Sequence, residues 1–363
     1  MMRLWVATGE ASGDRLGAGL IERLRLRFPD LIVRGIAGPR LRSLGVEGPF
    51  GAEELSVAGL LPVVRRLPSL LLRMEQAISD VHRFLPDVVL TIDSPGFMAR
   101  LAKRLDREYP LVHWVAPQVW AWRPERIRAF SDPIDGLMCL FPFEPAWFAG
   151  SGVRCSWVGH PLLEGVVSRP IPPGPPRIAL APGSRPSEIR AHWPVLVETA
   201  KQLRARDPKV SLVVPVASTV QAAQLRGISA DLVDSVHDAC EGTHAAAVAL
   251  GTATLEFASR GIPIAAVYSP DPLTRWWASR RLPRGAALAL PNLLVGRRVV
   301  PEMIGDLDPA VLADTLLALT GEAGEMQRSA LSQAFVDLGA NAWERVADEV
   351  DAWLRGRHVQ IRR

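Results

Sequence analysis

The chain carries only three cysteines in 363 residues, Cys139, Cys155 and Cys240, widely spaced and without a Cys-x-x-Cys pair. That pattern suggests neither a disulfide framework nor a zinc site, and it fits a reducing compartment. No apolar stretch approaches the roughly 20 residues that a membrane-spanning helix needs. No basic leader with an apolar run and a cleavage site precedes the first apolar segment, so a cytoplasmic protein is expected. Neither sign of charge dominates: 42 Lys and Arg stand against 38 Asp and Glu, a net +4. The arginines are dispersed and no recognised nucleic-acid module is present, which ranks nucleic acid last among partners. An anionic surface or a phosphorylated small molecule stays open. No Gly-Lys-Ser/Thr follows a turn as in a Walker loop. No Asp-x-Asp stands where a metal-bound diphosphate would need it, so neither a metal nor another cofactor is expected.

What the sequence does have is core: 48% hydrophobic and 22% charged residues over a length that favours two domains. The chain is organised around Gly9-Glu10-Ala11-Ser12-Gly13-Asp14. An apolar run, Leu4 to Ala7, precedes it, and Leu16, Leu20, Ile21 and Leu24 follow on one helical face. The spacing predicts strand, tight turn and helix, with Ser12 or Asp14 as cap. Glu10 then stands at the carboxyl end of a strand, where open α/β sheets place ligand chemistry.

Ile32 to Ile36 reads as a second strand. From Val57 to Ile78 the apolar residues Val57, Leu60, Leu61, Val64, Leu67 and Leu71 alternate with Arg65 and Arg66. Pro62 and Pro68 interrupt the stretch, so two short helices at best are expected. Its composition suits a core helix pair, or a surface that dips into a bilayer while its arginines meet lipid phosphates. Val88 to Ile92 is a continuous apolar run typical of a strand buried on both faces. It ends in Asp93-Ser94-Pro95-Gly96, which puts Asp93 on the same sheet edge as Glu10. There it reads either as a base within reach of a hydroxyl or as a turn former. Further strands are expected at 111–115 and 137–141, with Trp120, Trp122 and Arg123 beyond the first and His160 closing the half.

Arg169 to Arg177, with five prolines and one glycine, is the clearest linker. It separates an N-terminal Rossmann-like domain, 1–168, from a second, 178–335; the remaining segment, 336–363, holds an amphipathic helix over 341–355 with a basic end. In the second half, Gly183, Ser184 and Arg185 follow a strand and open a helix, which suits an anion. Gly251, Thr252 and Thr254 open another helix and could hold a diphosphate, with Glu256 one turn in to accept from ribose hydroxyls. Asn292, in Leu-Pro-Asn-Leu-Leu, could offer its carboxamide to a base or sugar. Residues 217–240 resist assignment. The halves divide the chemistry between them, anion sites in the second and carboxylates in the first. That suits transfer from a nucleotide diphosphate donor to a hydroxyl acceptor.

Nine short motifs occur in order along nearly the whole length. They are Gly-Glu-Ala-Ser-Gly-Asp at 9–14, Ala-Gly-Pro-Arg at 37–40, Ile-Asp-Ser-Pro at 92–95, Val-Trp-Ala-Trp-Arg at 119–123, Phe-Pro-Phe-Glu at 141–144, Val-Gly-His-Pro at 158–161, Pro-Gly-Ser-Arg at 182–185, Gly-Thr-Ala-Thr-Leu-Glu at 251–256 and Leu-Pro-Asn-Leu-Leu at 290–294. Each is weak alone, but as an ordered set they are specific. On them the chain resembles the lipid-A-disaccharide synthases, glycosyltransferases of the two-domain GT-B architecture with parallel sheets facing a cleft.

The resemblance implies metal-independent, inverting transfer of 2,3-diacylglucosamine from its UDP donor to 2,3-diacylglucosamine 1-phosphate, releasing UDP. It implies Asp93 as general base and Glu10 and Ser12 as a sensitive turn. Arg185 and Asn292 match positions tied to UDP, and Glu256 matches the acidic residue on the ribose. The 57–72 patch matches an apolar surface that would dock on the cytoplasmic face of the inner membrane. A homodimer through exchanged C-terminal segments reads in the sequence identically to a helix folded back on its own domain. The chain departs from the family pattern at Gly96, Met98, Ala116, Gln118 and Leu250, positions that bear on acceptor and phosphate contacts. Two alternatives accompany this reading: a related GT-B enzyme or epimerase acting on another UDP-sugar, and a catalytically impaired UDP-lipid binding paralogue.

Overall fold

The computed structural model describes residues 2–55, 60–117, 126–168, 170, 172–216, 224–270 and 287–357, with side chains at all of these except 60–67, 126 and 186. The chain divides into two compact units, 1–164 with 338–363, and 165–337. Both are α/β.

Unit one runs β1 (Arg3–Thr8), α1 (Ala11–Arg27), β2 (Ile32–Ile36), α2 (Pro39–Ser43), α3 (Leu60–Phe84), β3 (Val88–Ile92), α4 (Pro95–Leu105), β4 (Leu111–Trp114), α5 (Arg126–Ser131), β5 (Gly136–Cys139), α6 (Glu144–Trp147) and β6 (Arg154–Trp157). The sheet is parallel throughout, in the order β2-β1-β3-β4-β5-β6. Every residue of β3 is buried, as expected where helices cover both faces of a parallel sheet. The strand order reverses between β1 and β3. In open α/β sheets the crevice outside the carboxyl ends at such a reversal is where ligands sit.

Unit two continues with β7 (Arg177–Ala181), α7 (Pro186–Arg206), β8 (Ser211–Pro215), β9 (Asp231–Val233), α8 (Val236–Ala239), β10 (Ala245–Ala249), α9 (Thr252–Ser259), β11 (Ile264–Tyr268), α10 (Leu290–Val295), β12 (Glu302–Ile304), α11 (Pro309–Leu319) and α12 (Glu322–Gly339). Its parallel sheet has the order β12-β11-β10-β7-β8-β9, so the reversal lies between β7 and β10. The β10 sequence, Ala-Ala-Ala-Val-Ala, is fully buried, its small side chains letting helices lie close.

One sequence expectation needs correction. The stretch read as two short helices is one 25-residue helix, α3, that passes through Pro68. Pro62 falls in its first turn, where the missing N–H is not needed by the ladder. Pro68 removes a single ladder bond, and the burial of Met74, Ala77, Val81 and Phe84 in the unit-one core holds the helix that follows. Of the proposed membrane surface, Val57 lies outside the described residues. Leu60, Leu61, Val64, Arg65, Arg66 and Leu67 are placed on α3 by backbone alone, and Leu71 and Leu72 are exposed, at 55% and 58%. Within the unreadable 217–240 stretch, residues 217–223 lie outside the described residues, and β9 and α8 form beyond them. The tryptophan-rich 118–123 segment, Gln118 included, also lies outside.

The final helix, α13 (Ala342–Leu354), belongs to unit one and packs on α1 of the same chain. Val346, Val350, Trp353 and Leu354 are buried, as their spacing predicts. The Arg23 guanidinium lies 4.3 Å from the Trp343 ring centroid, and Arg27 pairs with both Glu344 and Asp348. Among the described residues no helix is long and apolar enough to cross a membrane.

Candidate functional site

In unit one the site grows out of two turns flanking the strand-order reversal. Glu10 is the exposed N-cap residue of α1, and its own side chain makes no capping bond. The expected cap is therefore absent, because both candidates are used elsewhere. The buried Asp14 carboxylate accepts from Arg40 N at 2.8 Å and Leu41 N at 3.1 Å, so it caps α2 instead. The exposed Ser12 hydroxyl donates to Asp93 Oδ2 at 2.9 Å. Ser94 N donates to Asp93 Oδ1 at 2.7 Å.

Asp93 is half-buried, and both Asp93 and Ser94 hold left-handed backbone conformations, with φ of 57° and 48°. Each such residue costs roughly 1 kcal/mol or more and persists only where its surroundings impose it. Here the imposition is visible. Asp93 N donates to Trp114 O at 3.0 Å, and Ser94 packs so closely on Gly9 that a Cβ at Gly9 would run into the Ser94 hydroxyl. The two turns are thus locked together, and the Asp93 carboxylate is fixed at the carboxyl end of β3 with one hydrogen bond to each oxygen.

Burial also shifts Glu144 and His160 of this unit. Burial pushes the Glu144 carboxyl up to about 8, while Phe141 N donates to its Oε2 at 2.9 Å. His160 is pushed down to about 4 by burial, with the charge of Arg15 acting in the same direction, and its buried Nδ1 has no hydrogen-bond partner among the described residues. A neutral imidazole at physiological pH follows.

In unit two the turns after β7 and β10 flank the reversal. Gly183 has φ of 111°, and Ser184 and Arg185 are exposed. The amides and guanidinium expected to meet a ligand are already in contact with a carboxylate, that of Glu188. Ser184 N, Arg185 N and Arg185 Nη1 donate to it at 3.0, 3.2 and 3.0 Å. Buried His192 ties the turn to the end of β11: Ser269 N donates to Nε2 at 3.0 Å, and Nδ1 lies 2.8 Å from Pro182 O. Since Nε2 accepts, the proton is on Nδ1, which donates to the carbonyl.

At the β10 turn Gly251 and Thr252 are exposed, and Gly251, the N-cap residue of α9, has no side chain with which to cap it. Thr254 departs from expectation. It is fully buried and its hydroxyl donates to Gly251 O at 2.7 Å, so it shapes the turn and offers nothing outward. Glu256 is half-buried one turn into the helix.

Asn292 is the clearest correction. It is 0% exposed and its carboxamide is saturated: Nδ2 donates to Val300 O and Glu302 Oε1, and Oδ1 accepts from Val299 N and Val300 N, all at 2.8–2.9 Å. A side chain whose four bonds are spent inside the protein has none for a base or sugar. Sequence reasoning also missed Glu302, which accepts from Leu288 N and Ala289 N as well as from Asn292. The Glu at the third position of α7, a recognised helix-start signal, could have pointed to Glu188. No comparable local signal marks Glu302.

Known proteins resemble this chain along most of its length. The family model for lipid-A-disaccharide synthetase matches residues 4–348. The chain is 38% identical over 355 residues to the lipid-A-disaccharide synthase of Gluconobacter oxydans, covering 92% of this chain and 85% of that one. To the enzyme of the same name from Pseudomonas entomophila it is 35% identical over 383 residues, covering 98% and 100%. Among solved structures, a UDP co-structure of MnaA from S. aureus aligns with a TM-score of 0.67 at 13% identity, covering 98% and 97%. The calicheamicin glycosyltransferase CalG4 aligns at 0.61 and 17%, covering 98% of each chain. MurG of Acinetobacter baumannii gives 0.58 and 14%, covering 97% and 99%. At such identities these structures establish the fold, which is GT-B. The sequence relatives establish more: the chain belongs to the lipid-A-disaccharide synthase family, glycosyltransferases of lipid A biosynthesis.

Proposed function

We propose that this glycosyltransferase moves 2,3-diacylglucosamine from UDP-2,3-diacylglucosamine to the 6-hydroxyl of 2,3-diacylglucosamine 1-phosphate. The reaction inverts the anomeric centre, needs no metal and yields the disaccharide 1-phosphate and UDP. The observation that carries the reading is the Asp93 carboxylate, pinned by Ser12 and Ser94 at the strand-order reversal of unit one. A base must be held before the acceptor arrives, and two hydrogen bonds on a strained turn do that.

Asp93 takes the proton of the acceptor hydroxyl as its oxygen attacks the anomeric carbon. The bond from that carbon to the diphosphate oxygen breaks on the opposite face. A single displacement inverts configuration. Glu10, exposed one residue before α1, orients the acceptor beside the base. Negative charge grows on the leaving UDP, where Arg185 and the start of α9, at Gly251 and Thr252, stabilise it. Glu256 accepts from the ribose.

The test is Asp93→Asn in detergent micelles with the two acylated substrates. Turnover is expected to fall about 10²- to 10⁴-fold, with UDP affinity and thermal stability unchanged. Full turnover in the variant removes Asp93 as the base. A chelator should leave the wild-type rate untouched. We place the enzyme on the cytoplasmic face of the inner membrane, the exposed Leu71 and Leu72 of α3 supporting that placement. Flotation with anionic vesicles checks it.

A further inference from the structure

We propose that Glu188 competes with the nucleotide diphosphate for Arg185, so that the guanidinium passes from carboxylate to phosphate when donor binds and back as UDP leaves. The inference rests on the nucleotide reading of unit two.

Both Glu188 oxygens engage the groups that this reading assigns to the diphosphate: Oε2 accepts from Ser184 N and Arg185 N, and Oε1 from Arg185 Nη1. The turn is moulded to that carboxylate, since a Cβ at Gly183 would run into Glu188 Oε2. The two partners are unequally held. Glu188 is fastened by two backbone amides and its side chain is 19% exposed, whereas that of Arg185 is 69% exposed. Arg185 can change rotamer without moving β7 or α7. The bond it gives up is an exposed i,i+3 ion pair, a weak interaction, and the bond it gains is to a phosphate that a guanidinium meets with two parallel hydrogen bonds. Glu188 stays behind on its amides. Its carboxylate is then placed to take the guanidinium back as UDP leaves. Glu188 is thus a positioning residue acting through Arg185.

Glu188→Gln keeps the side-chain length and an oxygen for the amides but removes the charge. UDP titrated calorimetrically into this variant should bind about fivefold tighter than into wild type, the gain from no longer having to break an exposed ion pair worth about 1 kcal/mol. Product inhibition by UDP should tighten in parallel while kcat does not rise. In an Arg185→Ala background the same substitution should give no such gain. A residue that merely capped α7 would behave otherwise, since its loss would leave UDP affinity unchanged or weaker whether or not Arg185 were present. That result overturns the proposal and spares the nucleotide site. If folded wild-type protein does not bind UDP at all, the nucleotide reading falls and takes this one with it.

Discussion

Gly96 and Met98 stand two residues apart in α4, and their surroundings treat them differently. Gly96 is exposed in the first turn, and a Cβ built there meets nothing within 4 Å. Met98 is 1% exposed, inside the unit-one core with Leu101 and Ala102. Gly96→Asp therefore adds a carboxylate beside the positive end of a helix and removes a helical glycine. Stability should rise by about 0.5–1 kcal/mol in denaturant titrations. Any kinetic change should appear in the acceptor KM and not in the donor KM. Met98→Asn instead buries an amide without partners and should cost about 2–4 kcal/mol. Asn292 teaches the same distinction from the opposite side. Its motif made it a nucleotide contact, yet Asn292→Ala strands the amides of Val299 and Val300, so the predicted effect is a loss of about 2–4 kcal/mol of stability, read by thermal unfolding before any binding assay.

Among the elements, those with an unbroken period were legible and those held by distant partners were not. The apolar run of β3 and the one-sided apolar face of α13 announce themselves, because burial on two faces and on one stripe leave different spacings. The continuity of α3 through Pro68 does not, since the core that holds its second half comes from strands far away in sequence. Nor does the capping of α2 by Asp14, a contact across 26 residues. The packing of α13 on α1 likewise escaped the sequence, which reads the same for a helix folded back or exchanged. Folded back, it makes unit one close on itself: Trp343 stacks under Arg23, its amide donates to Glu164, and Arg345 lies over the Trp157 ring. Trp343→Ala should cost about 3 kcal/mol. The midpoint of thermal unfolding should not depend on protein concentration; a rise with concentration would instead indicate exchange between chains.

At the scale of the molecule, both sheets put their strand-order reversal next to turns that the sequence singled out: Glu10 and Asp93 in one, the Arg185 and Thr252 turns in the other. The turns were legible because parallel sheets bring the loops after their strands to one edge, whereas the stability of the fold depends on buried ionisable groups that no spacing reveals. Glu144 and His113 are the two that matter most for pH. His113 is buried in β4, and burial pushes it down to about 3. It withholds stability below its ordinary value near 6.5, where the unfolded chain takes up a proton that the folded one refuses. Glu144 works in the opposite direction. With its carboxyl raised to about 8 by burial, the folded protein keeps a proton that the unfolded chain releases above 4.5, so stability falls as pH rises through that window. The contribution of His113 is common to wild type and Glu144→Gln and cancels between them, so in that comparison Glu144 is the group of this pair whose titration shows. Between pH 6.5 and 8 wild type should lose about 1.5 kcal/mol relative to Glu144→Gln, which keeps an acceptor for Phe141 N and cannot ionise. Urea titrations of both proteins at the two pH values measure the difference directly. A constant gap between them would mean that Glu144 ionises in the folded protein as readily as in water.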